Sequence, residues 1–390
     1  NRTSPSTATT QYHYLSAASI SVPSSTEGNR QIQMPVAGTL RNLSFTIDTP
    51  PGTGANWIIA VRKNGVTTAL SVTIQDAEVT KIDTTHSVTF MPNDLIALRI
   101  TPSSGTVPAA FTLHSWDIEC NAPGQIIVGG NSNNPSTAAA NFTVMQGGNP
   151  ITWTGTESNV QIVCPTAGTL TNLFARLNLA TGAGSSYTVI VRKGGDTVLS
   201  TIIADPATSN SNTTNSVAVV AGDLLSIKVL PSASPAPTAR SIWWGLLFTP
   251  TVDGESFFGF GNSAVPSTTA TNFEQGFYAG ANAWNATESA VTGYIGPQTL
   301  KKLYVSLVTA PSAGTSRTFT VRKNSADTAL AGVVSGTGTT GNIASDVTFA
   351  RTDTYDISSF RTGAAVAPTG GVHIGVLVYS APAPRRVIIT

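Results

Sequence analysis

An all-β fold of tandem antiparallel sandwiches is predicted by three features of this 390-residue sequence. Its composition disfavours helices: 35 Gly, 23 Pro and about a quarter Ser plus Thr leave few stretches of helix formers. Short β-rich apolar runs alternate with turn residues along the whole chain. Landmarks also recur at a step of 130 residues. Ala37-Gly38-Thr39-Leu40 returns as Ala167-Gly168-Thr169-Leu170 and, weakened, as Pro297-Gln298-Thr299-Leu300. Val61-Arg62-Lys63 returns as Val191-Arg192-Lys193 and Val321-Arg322-Lys323, and three steps of 130 make up the 390 residues. Solenoid and propeller units run only about 20 to 50 residues, so each copy here is expected to own a core.

The boundaries fall in the Asn/Pro/Gly-rich stretches 121–135 and 249–266. They divide the chain into repeats 1–123, 124–252 and 253–380 and a tail, 381–390. Neither linker is long or charged, so the repeats are expected to abut.

Within the first copy, Leu40 to Ile47 alternates, with Leu43, Phe45 and Ile47 on one face, before Pro50-Pro51-Gly52 breaks it. Trp57 to Lys63 and Val66 to Ile74 then flank Asn64-Gly65, a strong hairpin signal because a type I′ turn needs positive φ at both central residues. Gly194-Gly195 serves equally in the second copy, whereas Asn324-Ser325 in the third is poorer. Further strands are read at Val88 to Phe90, at Leu95 to Ile100 after Pro92-Asn93-Asp94, and at Leu113 to Ile118. Leu224 to Leu230, Ile242 to Phe248 and His373 to Tyr379 are their later counterparts. About eight strands per copy suit a jelly roll or a related two-sheet sandwich.

A strand ending in Val-Arg-Lys-Asn-Gly, a returning strand, and an apolar strand introduced by Asn93-Asp94-Leu95 or Gly222-Asp223-Leu224 resemble the compact jelly rolls of phage and viral surface proteins. They are also distantly similar to trimeric heads of the complement and tumour-necrosis-factor type. The resemblance covers most of each repeat and rests on turn chemistry. Copy three departs from it, with Thr352-Asp353-Thr354-Tyr355 at the second turn. The resemblance implies a structural or attachment role, often in trimers, and carries over no functional residue.

Charge excludes one class of function. Lys plus Arg number 21 against 20 Asp plus Glu, a net charge of +1 with no basic stripe, so nucleic acid is not an expected partner. No apolar run reaches the roughly 20 residues of a membrane span, so no membrane insertion is expected. The start at Asn1, without Met or a signal-like stretch, reads as a processed or trimmed N-terminus. Low charge with abundant Ser, Thr, Asn and Gly points to a virion or extracellular surface. Cys120 and Cys164 occupy non-equivalent positions, Cys164 standing where Met34 and Tyr294 stand, and are expected as buried free thiols.

The chemistry-bearing residues give no catalytic pattern. His13, His86, His114 and His373 recur at no common position and are read as surface or sheet-face residues. No spacing fits a zinc site, an EF-hand or a phosphate-binding loop, so no metal or cofactor is expected. The carboxylate pairs Asp76/Glu78, Asp117/Glu119 and Asp253/Glu255 do not recur and are read as solvated strand edges. Five Asn-x-Ser/Thr sequons, at Asn1, Asn42, Asn141, Asn212 and Asn285, are what chance supplies in so Ser/Thr-rich a chain.

What does recur is an acid and a base: Glu27, Glu157 and Glu288 precede Arg62, Arg192 and Arg322 by 35, 35 and 34 residues. One structural Glu–Arg ion pair per repeat is therefore expected, since the planar guanidinium fork binds a carboxylate through two bonds. Trp153 and Trp284 are repeat equivalents, read first as core or seam residues and alternatively as glycan-stacking platforms. After the spacer Ala381-Pro382-Ala383-Pro384, the segment Arg385-Arg386-Val387-Ile388-Ile389 has a strand's composition and no counterpart behind the first two copies. It can pair with its own domain's edge or add to a neighbouring subunit's sheet, and the second is favoured because an exposed apolar strand is an aggregation hazard.

Together these readings predict a non-enzymatic structural protein. It would assemble with copies of itself, or with other virion or surface proteins, as a virion surface, capsid or fibre component or an extracellular filament subunit. The alternative is a secreted carbohydrate-binding or adhesion protein with glycan partners.

Overall fold

Alternating burial sets the strands, and the strands pair only antiparallel. The computed structural model describes residues 4–15, 23–131, 133–147, 153–262, 264–274, 284–363, 371–379 and 385–387. Among these the regular elements are strands in six sheets and three single 3-10 turns, the all-β class read from the sequence. The sheets face one another in pairs, each pair enclosing a cluster of buried side chains.

In the first sandwich one sheet orders Gln11–His13, Leu95–Pro102, Gly52–Lys63 and Val66–Asp76, with Ile32–Gln33 also on Leu95–Pro102. The facing sheet orders Arg385–Val387, His114–Asn121, Gly38–Ile47 and Thr80–Phe90. The second sandwich repeats both orders. Asn141–Thr143, Leu224–Pro231, Ser186–Lys193 and Asp196–Ala204 form one sheet, and Gln125–Asn131, Ile242–Pro250, Gly168–Leu177 and Ser209–Val219 the other. The third does so with Asn272–Glu274, Thr354–Thr362, Ser316–Lys323 and Ala326–Ser335, facing Glu255–Asn262, Val372–Tyr379, Gln298–Leu307 and Thr340–Phe349. Apart from the first two short strands and the hairpin between Gly52–Lys63 and Val66–Asp76, successive strands cross between facing sheets, which is a jelly-roll-like connection.

Several expectations change. The stretches read as linkers contain strands, Gln125–Asn131 and Glu255–Asn262, each an edge of the sandwich that follows it. Their glycines hide them from a propensity reading. A Cβ on Gly129 would fall 2.6 Å from the Trp244 indole, so the missing side chain is what lets that ring pack. The strand ending at Phe90 begins at Thr80, because its outward positions are polar and only the last residues read as apolar. The turn at Asn324-Ser325 closes a hairpin of the same kind as Asn64-Gly65, with φ of 51° and 61°, so Ser325 takes a conformation that glycine holds without strain. Cys164 aligns with Met34 and with Ile295, not Tyr294, since the three backbone N–H groups donate to Asp223, Asp94 and Asp353 respectively. Three histidines, His13, His114 and His373, are buried and not surface residues; His114 stacks on Phe45 and Trp116 and meets Phe111 edge-on, and His13 packs against His114 and Trp116.

The tail is the largest departure. Arg385, Arg386 and Val387 pair with Cys120, Glu119 and Ile118 of the same chain, on the first sandwich and not on the third sandwich's edge. They take the edge place that Gln125–Asn131 and Glu255–Asn262 hold in the other two sandwiches. Ile388 and Ile389 lie outside the described residues.

The sandwiches are joined in a cycle. Ile32–Gln33 packs on the second sandwich's sheet at Ile242–Pro250, Ile162–Val163 packs on the third's at Val372–Tyr379, and Gly293–Tyr294 packs on the first's at His114–Asn121. That covers the second face of these strands, which explains why Ile242–Phe248 and Val372–Val378 are buried at every position instead of alternating. Polar bonds pin the seams. Trp243 donates to the Tyr14 hydroxyl at 3.0 Å, Arg176 to the carbonyls of Gly28 and Gln31 at 2.8 and 2.9 Å, and Gln125 exchanges two bonds with the Phe257 backbone.

Candidate functional site

The charge centres are built by local sequence. In each Val-Arg-Lys run Val points into the core, so Arg points out of the sheet and Lys past its end. A reciprocal backbone bridge, Tyr12 with Ser24, Phe142 with Thr154 and Phe273 with Asn285, folds the following segment back over the sheet. A 3-10 turn beginning at Glu27, Glu157 or Glu288 then brings its carboxylate onto the Arg.

Arg62 donates from Nε and Nη2 to the two oxygens of Glu27, at 3.1 and 2.7 Å. Arg192 does the same to Glu157 at 2.9 and 2.6 Å, and Arg322 to Glu288 at 2.7 and 3.2 Å. Each guanidinium also lies over an aromatic ring: Tyr12 at 5.8 Å, Phe142 and Phe273 at 5.4 Å. The remaining Nη1 bonds Thr67 at 2.6 Å in the first sandwich and Asp196 and Asp327 in the others. The bond to Glu157 holds Arg192 above the ordinary guanidinium range. For Glu157 itself burial pushes the carboxyl up, but bonds from Arg192 and Ser226 outweigh it and leave it below the usual carboxylate range.

The position opposite the Arg on the neighbouring strand is Ala97, Ser226 or Asp356. Only Asp356 adds a charge, and it is buried. Burial, followed by the charge of Glu288, pushes it up to about 7.

A second recurring pair escaped the sequence reading. Lys63, Lys193 and Lys323 bridge to Asp94, Asp223 and Asp353 at 2.9, 3.0 and 2.9 Å and donate to the carbonyls of Thr89, Ala218 and Thr348 on the facing sheet. The signal was there: each of these Asp residues closes a turn already recognised, about 30 residues after its Lys.

The other candidates do not converge. Asp76 accepts from the Gly54 N–H while Glu78 bridges Lys81, and Asp117 meets Arg351 while Glu119 meets Arg41. Glu255 accepts from the Thr166 hydroxyl. Trp284 is buried, donating to the Ala264 carbonyl against Phe319, which leaves no ring face for a glycan there, and Trp153 is partly buried against the second core beside Trp244. Both Cys thiols are buried and free, and burial pushes each up to about 12. Among the described residues no group of three or more His, Cys, Asp or Glu is placed to hold a metal ion, and no helix is long and apolar enough to cross a membrane. No family model matches this chain, and no curated protein is significantly similar to it.

Proposed function

We propose that this chain is a non-enzymatic structural protein that self-assembles at a virion or extracellular surface, as a capsid, fibre or filament component. The cyclic packing of three sandwiches carries the reading. Each presents a donor segment and an acceptor sheet at corresponding positions, and all three are used within one chain, an arrangement that supports a building-block role. Its conserved-by-position charge centres tie loops to sheets and leave their charged atoms committed to one another, which suits scaffolding better than turnover.

Contacts between copies then fall to surfaces outside the cycle. Val66 stands exposed beside the first hairpin tip, Val198 on the second sandwich's returning strand, and Met91 and Val220 at equivalent turns, as apolar points for a neighbouring copy. The test is the mass of the native particle, by light scattering with electron microscopy, for the whole chain and for a chain ending at residue 380. A particle many times the 40.2 kDa chain is expected in both cases, and a 40.2 kDa monomer throughout would overturn the proposal.

A further inference from the structure

The three charge centres differ in what lies beside them. In the second sandwich Lys228 crosses the outer face of the sheet from the strand position opposite Phe142 and places its ammonium 2.8 Å from Asp196 Oδ2. Its side chain is only 15% exposed, so it is packed into the face. The equivalent residue opposite Phe273 in the third sandwich is Ser358. Shortening Lys to Ser empties the space: a recess of about 390 Å³, in the range of small-ligand clefts, opens between Phe273, Thr320, Asp327, Ser358 and Phe360. Asp327 is the counterpart of Asp196, each paired in register with its Arg. Its Oδ1 accepts from Arg322, and no ammonium meets its Oδ2 among the described residues.

Charge and apolar surface point the same way. The second centre is balanced, with Arg192 and Lys228 against Glu157 and Asp196. The third has Arg322 alone against Glu288, Asp327 and Asp356. Phe360 stands 54% exposed at the rim, where the second sandwich has Leu230 and the first Thr101. A carboxylate oxygen without a cation, beside two aromatic rings and hydroxyls, is a setting for a positive charge on an apolar stem.

We propose that this recess binds a primary alkylammonium group, and that its occupant is a lysine side chain of a partner protein, taking the place that Lys228 takes internally in the second sandwich. The ammonium meets Asp327 Oδ2 and the Ser358 hydroxyl, and the methylenes lie along Phe360.

The test uses the whole chain and amide NMR shifts on titration with n-butylammonium, n-butanol, Nα-acetyl-lysine amide and glucosamine. Butylammonium and the lysine amide are expected to shift the amides of Phe273, Asp327 and Phe360 with a dissociation constant of about 1 mM, an affinity of about 4 kcal/mol. Asp327→Asn, at an exposed position where the amide oxygen can still accept from Arg322, is expected to weaken them at least tenfold. Ser358→Lys rebuilds the second sandwich's arrangement and is expected to abolish binding, and Lys228→Ser to create a second set of shifts around Asp196. Equal binding of butanol, or binding unchanged by both Asp327→Asn and Ser358→Lys, would overturn the site. Glucosamine binding more tightly than the lysine amide would overturn its assignment to a protein side chain.

Discussion

Gly245→Ala tests the seam between the first and second sandwiches. Gly245 lies mid-strand, paired with Phe174 on one side and Val128 on the other. A Cβ there would fall 2.5 Å from the Gln33 carbonyl oxygen and 3.2 Å from Pro35 Cδ, whereas ordinary contact starts at 3.4 Å. The seam must therefore open by about 0.9 Å, and neither side yields freely: Gln33 is itself hydrogen-bonded in register with Leu95. The φ of Gly245 is not positive, so Ala meets no backbone strain and the cost is steric. Overpacking of this kind costs about 1 to 3 kcal/mol, and backbone against backbone belongs near 2 to 3. Gly332→Ala is the control, a strand glycine whose Cβ would make only ordinary contacts, with Val305 at 3.5 Å and Leu303 at 3.6 Å; there Ala is expected to gain about 0.5 kcal/mol or more. Urea denaturation followed by tryptophan fluorescence reads both, since Trp243 lies at the seam, and hydrogen exchange at Ile32 and Gln33 reports local opening. A Gly245→Ala chain within about 0.5 kcal/mol of wild type, with those amides still protected, would refute the packing argument.

Three further perturbations follow from the charge centres. Arg192→Met leaves Glu157 with Ser226 alone in a largely covered site and is expected to cost about 2 to 4 kcal/mol by urea denaturation at pH 7. Because Glu157 is held below its unfolded value of about 4.3, the pair's contribution is present above that pH and is lost as the pH falls through the folded value, so the two chains should converge in acid. Asp356 runs the opposite way. Its folded pKa of about 7 exceeds the unfolded value of about 3.9, so its contribution to stability is greatest below pH 4, declines as pH rises to about 7 and levels off beyond; Asp356→Asn should remove that component and be the more stable chain at pH 8, as the difference in denaturation midpoints across pH would show. Ser325→Gly relieves a positive φ in the third hairpin and is expected to raise stability by about 1 kcal/mol, whereas a lower denaturation midpoint would contradict the turn assignment.

The sandwiches were legible because inward and outward positions alternate along exposed sheets, as in Val66–Asp76, and because turn residues punctuate them. The edge strands Gln125–Asn131 and Glu255–Asn262 were not, since Gly129, Gly130, Gly259 and Gly261 serve close approach and carry no propensity signal. The Glu and Arg residues of each centre stood out because charge is scarce in this chain, and the structure brings all six together in pairs. The Lys–Asp bridges were hidden in residues already explained as turn formers. Cyclic packing had no sequence signature at all. It is made by backbone meeting backbone at Gly245 and Gly375, where what matters is the absence of a side chain.

The closing seam shows how the order of the cycle is fixed. At two seams a proline on the donor segment, Pro35 or Pro165, approaches a glycine on the acceptor strand, Gly245 or Gly375. At the third the volumes are exchanged: the acceptor strand carries Asp117 and the donor carries Gly296, whose Cβ would fall 3.0 Å from the Asp117 carboxyl carbon. A proline donor offered to Asp117 would meet a side chain where it needs a gap, so His114–Asn121 accepts the third sandwich's segment and rejects the other two. Arg351 reinforces the choice with its bridge to Asp117 at 3.4 Å. The third donor of another copy would fit equally well, which would open the cycle into a chain of copies. Within one chain, however, the first and second seams already hold the third donor beside its acceptor, and such an intramolecular contact has the advantage of a high effective concentration. Closure inside the chain is the expected outcome, and contacts between copies are left to the outer turns and hairpin tips.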